Sequence, residues 1–221
     1  MPILLAKQPV MNTDLVRKSY NEWAAIYDSN ENKTRDMDAR VTQEVLGDQP
    51  YASVLELGCG TGKNTAWLAQ QTSALLALDF SEEMLAVARQ KVILPHVTFQ
   101  QADLTAAWPA ETAHYDLLCC NLVLEHLPNL QPFFDQAARA CTTGGRLFIS
   151  ELHPYKHLVG GGARFEASEG TEWVSSIRHH VSDYTAAAHN AGFRLLQLNE
   201  WFDDPEAQTL PRLLTLLFTK D

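Results

Sequence analysis

Short apolar runs alternate with helical stretches through the middle of the chain. The apolar runs lie at residues 54–57, 75–78, 97–99, 115–119 and 147–149, and each has the length of a short strand. Helical spacing follows at residues 61–71, 81–92 and 132–141, and Ser81 is a suitable N-cap for the second of these helices. Strands that alternate with helices in this way predict a parallel sheet covered on both faces.

The two ends of the chain show patterns of their own. Apolar residues recur at helical spacing over residues 12–28 and again from Thr34 to a predicted stop at Gly47. Near the other end, residues 181–190 predict a helix, and two apolar runs at residues 193–198 and 213–219 predict strands. Only a short stretch separates these last two strands, so we expect them to form an antiparallel pair at one edge of the sheet.

Composition and charge narrow the classes of function. The 221 residues are 46% hydrophobic and 20% charged, which is enough apolar material for one buried core. Lys and Arg number 17 against 27 Asp and Glu, and the formal net charge is −10. No basic cluster stands out along the chain, so a nucleic-acid partner is not expected.

Membrane insertion and metal binding are also not expected. No apolar stretch approaches the roughly 18 residues that cross a bilayer, and the N-terminal residues do not form a secretory leader. The four cysteines include no C-x-x-C pair, which argues against a disulfide framework and against a metal site. These features predict a cytoplasmic protein without a membrane partner.

A glycine-rich loop follows the first predicted strand. It reads Glu56-Leu57-Gly58-Cys59-Gly60-Thr61-Gly62 and leads directly into a predicted helix. The dinucleotide fingerprint G-x-G-x-x-G would need a third glycine where this chain has Lys63. A P-loop would need Gly and Ser or Thr where the chain has Leu57 and Asn64. Neither nucleotide-binding motif fits.

The loop resembles the first motif of class I S-adenosylmethionine-dependent methyltransferases, Glu/Asp-x-Gly-x-Gly-x-Gly, and the resemblance extends from Val54 to Ser150. Two acids, Asp79 and Asp103, follow the second and third predicted strands, where the family also has acidic residues. Residues 116–127, DLLCCNLVLEHL, are similar to the segment after the fourth strand in the type-11, ubiquinone-biosynthesis-like branch. The resemblance implies a Rossmann-like α/β fold with a seven-stranded, mostly parallel sheet, an antiparallel edge strand and helices on both faces.

The resemblance also implies S-adenosyl-L-methionine as the cofactor and gives its contacts. Asp79 would accept hydrogen bonds from both ribose hydroxyls, Asp103 would contact the adenine amino group, and Leu104 would lie against the ring. Glu56 would help to hold the methionine ammonium, and Tyr20, in a Y-x-x-x-A-x-x-Y-D stretch, would fold over the cofactor. The full set of expected cofactor-binding residues is Tyr20, Glu56, Gly58, Cys59, Gly60, Gly62, Asp79, Phe80, Met84, Asp103, Leu104 and Asn121.

The resemblance and the sequence pattern together divide the chain into parts with different expected roles. We expect a single methyltransferase domain over residues 1–221, with an N-terminal helical cap at 12–47 and a cofactor-binding half at 53–150. Residues 151–180 have no firm periodicity and contain three consecutive glycines, so they are expected to form a lid-like substrate insertion. Residues 181–221 would then supply a closing helix and strands.

The insertion contains the candidate catalytic residues. His153 and Tyr155 follow the fifth predicted strand and can act as acid, base or hydrogen-bond donor. Lys156 and Arg164 could pair with an anionic acceptor. The expected reaction is direct in-line methyl transfer to oxygen or nitrogen of a small-molecule acceptor. For this reaction the enzyme mainly has to align the reactants and exclude water. Methylation of RNA or protein, or cofactor binding without catalysis, remain open as alternatives.

Overall fold

The computed structural model describes residues 12–167, 170–207 and 209–221. Two helices precede the sheet, α1 at Thr13–Trp23 and α2 at Lys33–Leu46. Their N-caps are Asn12 and Asn32, whose side chains accept hydrogen bonds from backbone N–H groups of the first turn. The first helix is shorter than the predicted 12–28, because the Arg35 guanidinium bonds the carbonyl oxygens of Tyr27 and Asn30 and holds that stretch in a turn.

Strands and helices alternate as predicted, but the lengths of several elements differ from the predicted lengths. The elements are β1 (Val54–Leu57), α3 (Lys63–Leu68), β2 (Leu75–Asp79), α4 (Glu82–Lys91), β3 (Val97–Gln101), β4 (Tyr115–Asn121), α5 (Gln131–Ala140) and β5 (Cys141–Leu152). A single 3-10 turn, Leu124–His126, lies between β4 and α5. Ser81 caps α4 as predicted, because its Oγ accepts from the backbone N–H of Met84 at 3.1 Å.

The remaining elements are α6 (Pro154–Leu158), β6 (Arg164–Ala167), β7 (Gly170–Trp173), α7 (Val181–Asn190), β8 (Phe193–Phe202) and β9 (Pro211–Lys220). Residues 151–180 show no firm periodicity in the sequence but contain regular elements in the structure. This segment contains a short helix and a two-stranded antiparallel sheet formed by β6 and β7.

The main sheet has seven strands in the order β3-β2-β1-β4-β5-β9-β8. Strands β1 to β5 run parallel to one another, whereas β9 is antiparallel to both β5 and β8. The predicted antiparallel pair is thus confirmed, with β9 as the inner strand and β8 at the edge. The strand order reverses between β1 and β4, and in such sheets the crevice at the carboxyl ends of these strands is where ligands bind.

Apolar side chains cover both faces of the sheet. On one face the buried residues of α5 and α7, such as Phe134 and Ala188, pack against strand residues such as Ile149. On the other face α2, α3 and α4 contribute Leu46, Leu68 and Leu85. A smaller cluster joins α1 to α4 and to the segment after β7. Within the described residues, no helix has the length and apolar content needed to cross a membrane.

Candidate active site

The glycine loop turns sharply between β1 and α3. The backbone N–H groups of Gly58 and Cys59 both donate to the carbonyl oxygen of Leu78, at 2.8 and 2.9 Å, so the loop is fixed against the end of β2. Gly60 has φ of 51°, and a Cβ added there would meet no heavy atom of the described chain within 4 Å. The loop therefore presents bare backbone to an open space at the carboxyl ends of the strands.

Asp79, the last residue of β2, points at this loop. Its two carboxylate oxygens accept from the backbone N–H groups of Gly60 at 2.8 Å and of Ser81 at 2.9 Å. Burial raises the pKa of Asp79 to about 6, although the backbone donors act in the opposite direction. Each carboxylate oxygen can accept a further hydrogen bond, so Asp79 can hold the loop and still bind a ligand hydroxyl.

Most of the expected cofactor-binding residues surround one cavity, which we call the glycine-loop cavity. Nine of the twelve line it: Tyr20, Gly58, Gly60, Asp79, Phe80, Met84, Asp103, Leu104 and Asn121. Asp103 is exposed, and one of its carboxylate oxygens accepts from the N–H and hydroxyl of Thr105. The cavity therefore has an acidic residue near the glycine loop, another after β3, and apolar side chains between them.

Three expected cofactor-binding residues lie outside that cavity. Gly62 is the N-cap of α3, and a Cβ there would lie 3.1 Å from that of Ala88 on α4, so this glycine permits close approach of two helices. Cys59 is buried, and together with Glu56 it lines a smaller cavity on the other side of the loop. Of the three, only Gly62 lines neither of these two cavities.

The smaller cavity contains two buried carboxyl groups. Glu56 accepts a hydrogen bond from the Thr65 hydroxyl at 2.5 Å, and burial raises its pKa to about 8. Asp38 on α2 accepts from the side-chain amides of Asn64 at 3.0 Å and Asn121 at 2.8 Å, and burial raises its pKa too. Sequence reasoning missed Asp38, because it lies on a helix that precedes the whole motif region. A cationic group bound here would compensate the unfavourable burial of these acids.

Tyr20 covers the glycine-loop cavity from α1 and is held there by a histidine. The Nδ1 of His126 lies 2.9 Å from the carbonyl oxygen of Ser175, so Nδ1 carries the proton and Nε2 accepts from the Tyr20 hydroxyl, also at 2.9 Å. Burial lowers the pKa of His126 to about 4, which keeps the imidazole neutral. The Tyr20 ring also packs edge-on against Phe80.

A second cavity, which we call the outer cavity, adjoins the first. Both cavities are lined by Tyr20, Tyr27 and Leu122, so they meet at this point. The outer cavity is rich in charge, with contributions from α2, from the 3-10 turn, from residues 156–164 and from β9. Its charged residues are Glu31, Lys33, Glu125, Lys156, Arg164 and Arg212.

Asp203 organises the basic side of the outer cavity. It accepts hydrogen bonds from Nε of Arg212 and, at 2.7 Å, from Nη2 of the same guanidinium, and Nζ of Lys156 lies 3.4 Å away. The pKa of Asp203 is lowered chiefly by its hydrogen bonds to Arg212. Lys156 and Arg164, which the sequence suggested as partners of an anionic acceptor, both line this cavity.

The two candidate catalytic residues are not brought to either cavity. His153 is only 2% exposed, its Nδ1 accepts from the backbone N–H of Tyr155, and its Nε2 lies 2.9 Å from Oε1 of Glu200. This geometry caps α6 and pairs two distant segments, and burial lowers the pKa of His153. Tyr155 is half exposed and lines neither cavity. His153 thus contacts the start of α6 and Glu200 on β8 and lines neither cavity.

Replacing His153 with alanine is expected to lower the free energy of unfolding by about 1–2 kcal/mol, since it removes a helix cap and a buried hydrogen bond. Urea denaturation would measure this change, and Glu200→Gln, which keeps an oxygen acceptor for Nε2, is the matched control with a smaller loss. Unchanged stability combined with lost methyl transfer would instead restore a catalytic position for His153.

The described part of the chain has no group of three or more His, Cys, Asp or Glu side chains placed to hold a metal ion. The four cysteines are free and buried.

Known proteins share the sequence pattern and the fold described above. A family model for a methyltransferase domain matches residues 55–149. An uncharacterised methyltransferase of Emericella nidulans is 28% identical over 221 residues, with 82% of this chain and 77% of that protein aligned. A trans-aconitate 2-methyltransferase of Methylobacterium nodulans is 37% identical over 173 residues, with 72% of this chain and 66% of that protein aligned. The chain therefore spans about two thirds to three quarters of the length of these relatives.

A solved structure extends the likeness to three dimensions. An S-adenosylmethionine-dependent methyltransferase from Mesorhizobium loti superposes with a TM-score of 0.69 at 21% identity, over 82% of this chain and 96% of that one. The fold expected from the sequence is thereby confirmed. The chain belongs to the class I S-adenosylmethionine-dependent methyltransferases, in the type-11 branch, and is an enzyme of that class.

Proposed function

We propose that the chain transfers the methyl group of S-adenosyl-L-methionine to oxygen or nitrogen of a small-molecule acceptor by direct displacement. The observation that carries this proposal is the junction of two cavities at Tyr20, Tyr27 and Leu122. One cavity lies against the glycine loop of the family motif, and the other is lined by charged side chains. When bound, the cofactor supplies a methyl group on a positively charged sulfur. The protein has to align the two reactants at the junction and exclude water.

The residues of the glycine-loop cavity suit this cofactor. The open space beside Gly60 leaves room for a ligand against bare backbone, and Asp79 retains acceptor capacity for the ribose hydroxyls. Leu104 and Phe80 offer apolar surface for the adenine ring, with Asp103 beside them for its amino group. Met84 adds a further apolar contact in the same cavity.

The cationic end of the cofactor would lie toward the smaller cavity. Glu56 and Asp38 are both buried there, and burial raises the pKa of each. A bound ammonium group would favour their ionised forms, because an opposite charge stabilises a buried carboxylate. Asn121, which lines both this cavity and the glycine-loop cavity, would connect the two parts of the ligand.

The net charge of the chain and the name of one relative both support a small-molecule acceptor. The net charge of −10 is unfavourable for a polyanionic nucleic acid. The 37% identical relative from Methylobacterium nodulans is named as a methyltransferase of trans-aconitate, a small molecule. Lys156 and Arg164 on the outer cavity could bind an anionic group of such an acceptor.

The test combines cofactor binding with a search for acceptors. Titration calorimetry should detect binding of S-adenosylhomocysteine, and incubation with labelled S-adenosylmethionine should transfer the label to members of a metabolite library. Heat-denatured protein and the Asp79→Ala variant serve as controls. Label found only in RNA or protein, or cofactor binding without transfer to any acceptor, would contradict the proposal.

A further inference from the structure

One buried carboxyl oxygen in the outer cavity has no donor. Glu125 lies in the 3-10 turn after β4 and is 4% exposed, yet its side chain lines the outer cavity. Its Oε2 receives no hydrogen bond from the residues that the structure describes. A buried acceptor atom without a partner is unfavourable by about 1–3 kcal/mol, so a ligand group that donated a hydrogen bond to Oε2 would remove this cost.

The groups nearest to Glu125 do not supply a permanent positive charge. Nε2 of His157 lies 3.5 Å from Oε2, and Nε2 of His126 lies 4.0 Å from Oε1 but already accepts from Tyr20. Burial lowers the pKa of both histidines, so both are neutral near pH 7. Glu125 is therefore not held as one half of an ion pair.

Each element around this site contributes one or two titratable or charged groups. They are Tyr20 on α1, His126 in the 3-10 turn, Glu151 on β5 and His157 on α6. Arg178 and His179, in the segment before α7, act on His157. Glu151 differs from Glu125 in its hydrogen bonds. The Oε1 of Glu151 accepts from the backbone N–H groups of Val123 and Leu124 at 2.9 and 2.8 Å. Glu151 thus fixes the loop through Oε1, whereas Glu125 is one of the residues that line the outer cavity.

We propose that Glu125 is a catalytic residue that accepts the proton which the acceptor loses on methylation. This inference rests on the proposed function, and it names the acceptor class as a hydroxyl or amine compound, since a bare carboxylate brings no proton. A hydroxyl or amine would also donate the hydrogen bond that Oε2 lacks.

The proposed step balances in atoms and charge. A lone pair on the acceptor oxygen or nitrogen forms the new bond to the methyl carbon, and the carbon–sulfur bond breaks with its electron pair kept by sulfur. Sulfur becomes a neutral thioether, and the acceptor proton moves to Oε2 of Glu125, which later releases it to water. Burial raises the pKa of Glu125 to about 7, which is close to the value that suits a general base at neutral pH.

Glu125→Gln is the decisive variant, because it keeps the size of the side chain and removes the base. With acceptors from the library search, we expect kcat to fall by about 100-fold or more, while KM for the acceptor changes less than about threefold. Wild-type kcat should rise with pH through about 7, and the variant should lose this dependence. Glu125→Asp, which retains a carboxylate, should recover part of the activity, and Glu44→Gln on the exposed face of α2 should behave as wild type.

A second readout does not require turnover. Infrared difference spectra of protein with carbon-13-labelled glutamate should show a protonated carboxyl that ionises near pH 7 and is absent in Glu125→Gln. A Glu125 carboxylate already ionised at pH 5, wild-type kcat in Glu125→Gln, or methylation of carboxylate oxygens alone would each overturn the inference. Absence of methyl transfer by the wild-type protein would instead contradict the proposed function, and the infrared titration would still decide the state of Glu125.

Discussion

Asp79→Ala is expected to weaken the binding of S-adenosylhomocysteine by about 100-fold. The carboxylate is proposed to accept two ribose hydroxyl hydrogen bonds, and a hydrogen bond to a charged group contributes about 1.5–3 kcal/mol. A loss of about 2.8 kcal/mol corresponds to a factor of about 100 in the dissociation constant. The same substitution also removes the acceptor for the backbone N–H of Gly60, which adds to the effect. Titration calorimetry at pH 7.5 measures the loss.

A ligand that lacks one ribose hydroxyl separates the two contributions. The wild-type protein should bind the 2′-deoxyribose analogue of S-adenosylhomocysteine about tenfold more weakly than the parent ligand, since one charge-assisted hydrogen bond is lost. In Asp79→Ala the two ligands should bind with nearly equal affinity, because the partner of the hydroxyl is already gone. Equal losses in both proteins would show that Asp79 acts only through the glycine loop. The matched control variant is Asp103→Ala, which removes the acidic residue at the other end of the same cavity.

The positions of the strands of the main sheet could be predicted because each of these strands contains a short apolar run that is visible in the local sequence. The apolar run at residues 54–57 coincides with β1, and the helix predicted at residues 181–190 coincides with α7. Strand lengths could not be predicted in the same way. The run at residues 147–149 lies inside the much longer β5, which extends because β4 pairs along one side and β9 along the other. Such pairing depends on residues far away in the sequence.

The positions of the glycine loop and of Asp79 could be predicted for a similar reason, since the loop directly follows β1 and Asp79 ends β2. The contacts of His153 could not be predicted from the local sequence, because its partner lies far away along the chain. A histidine just after a strand and before a proline suggested a catalytic group, but in the structure it is buried and its Nε2 pairs with Glu200 on β8. Glu125 was present in the recognised segment after β4. The sequence did not show that α6 and the segment before α7 pack around Glu125 beside a cavity.

Gly58→Ala is expected to destabilise the fold by about 2–4 kcal/mol and to abolish detectable cofactor binding. Gly58 has φ of 78°, which disfavours any residue with a side chain by about 1 kcal/mol. A Cβ at this position would lie 2.1 Å from Cγ2 of Val123, and such overpacking typically costs about 1–3 kcal/mol more. Val123 cannot move away freely, because its backbone N–H is bonded to the buried Glu151 at 2.9 Å.

The glycine two positions later provides the matched control for this collision. Gly60 also has positive φ, but a Cβ there meets no described heavy atom within 4 Å, so Gly60→Ala should lose only about 1 kcal/mol of stability. Because Gly60 lines the glycine-loop cavity, the added methyl group is nevertheless expected to weaken cofactor binding. Adding Val123→Ala to Gly58→Ala should remove the collision and recover part of the lost stability. If urea denaturation gave Gly58→Ala and Gly60→Ala the same free energy of unfolding, the close packing of β1 against the loop after β4 would not be what requires glycine at position 58.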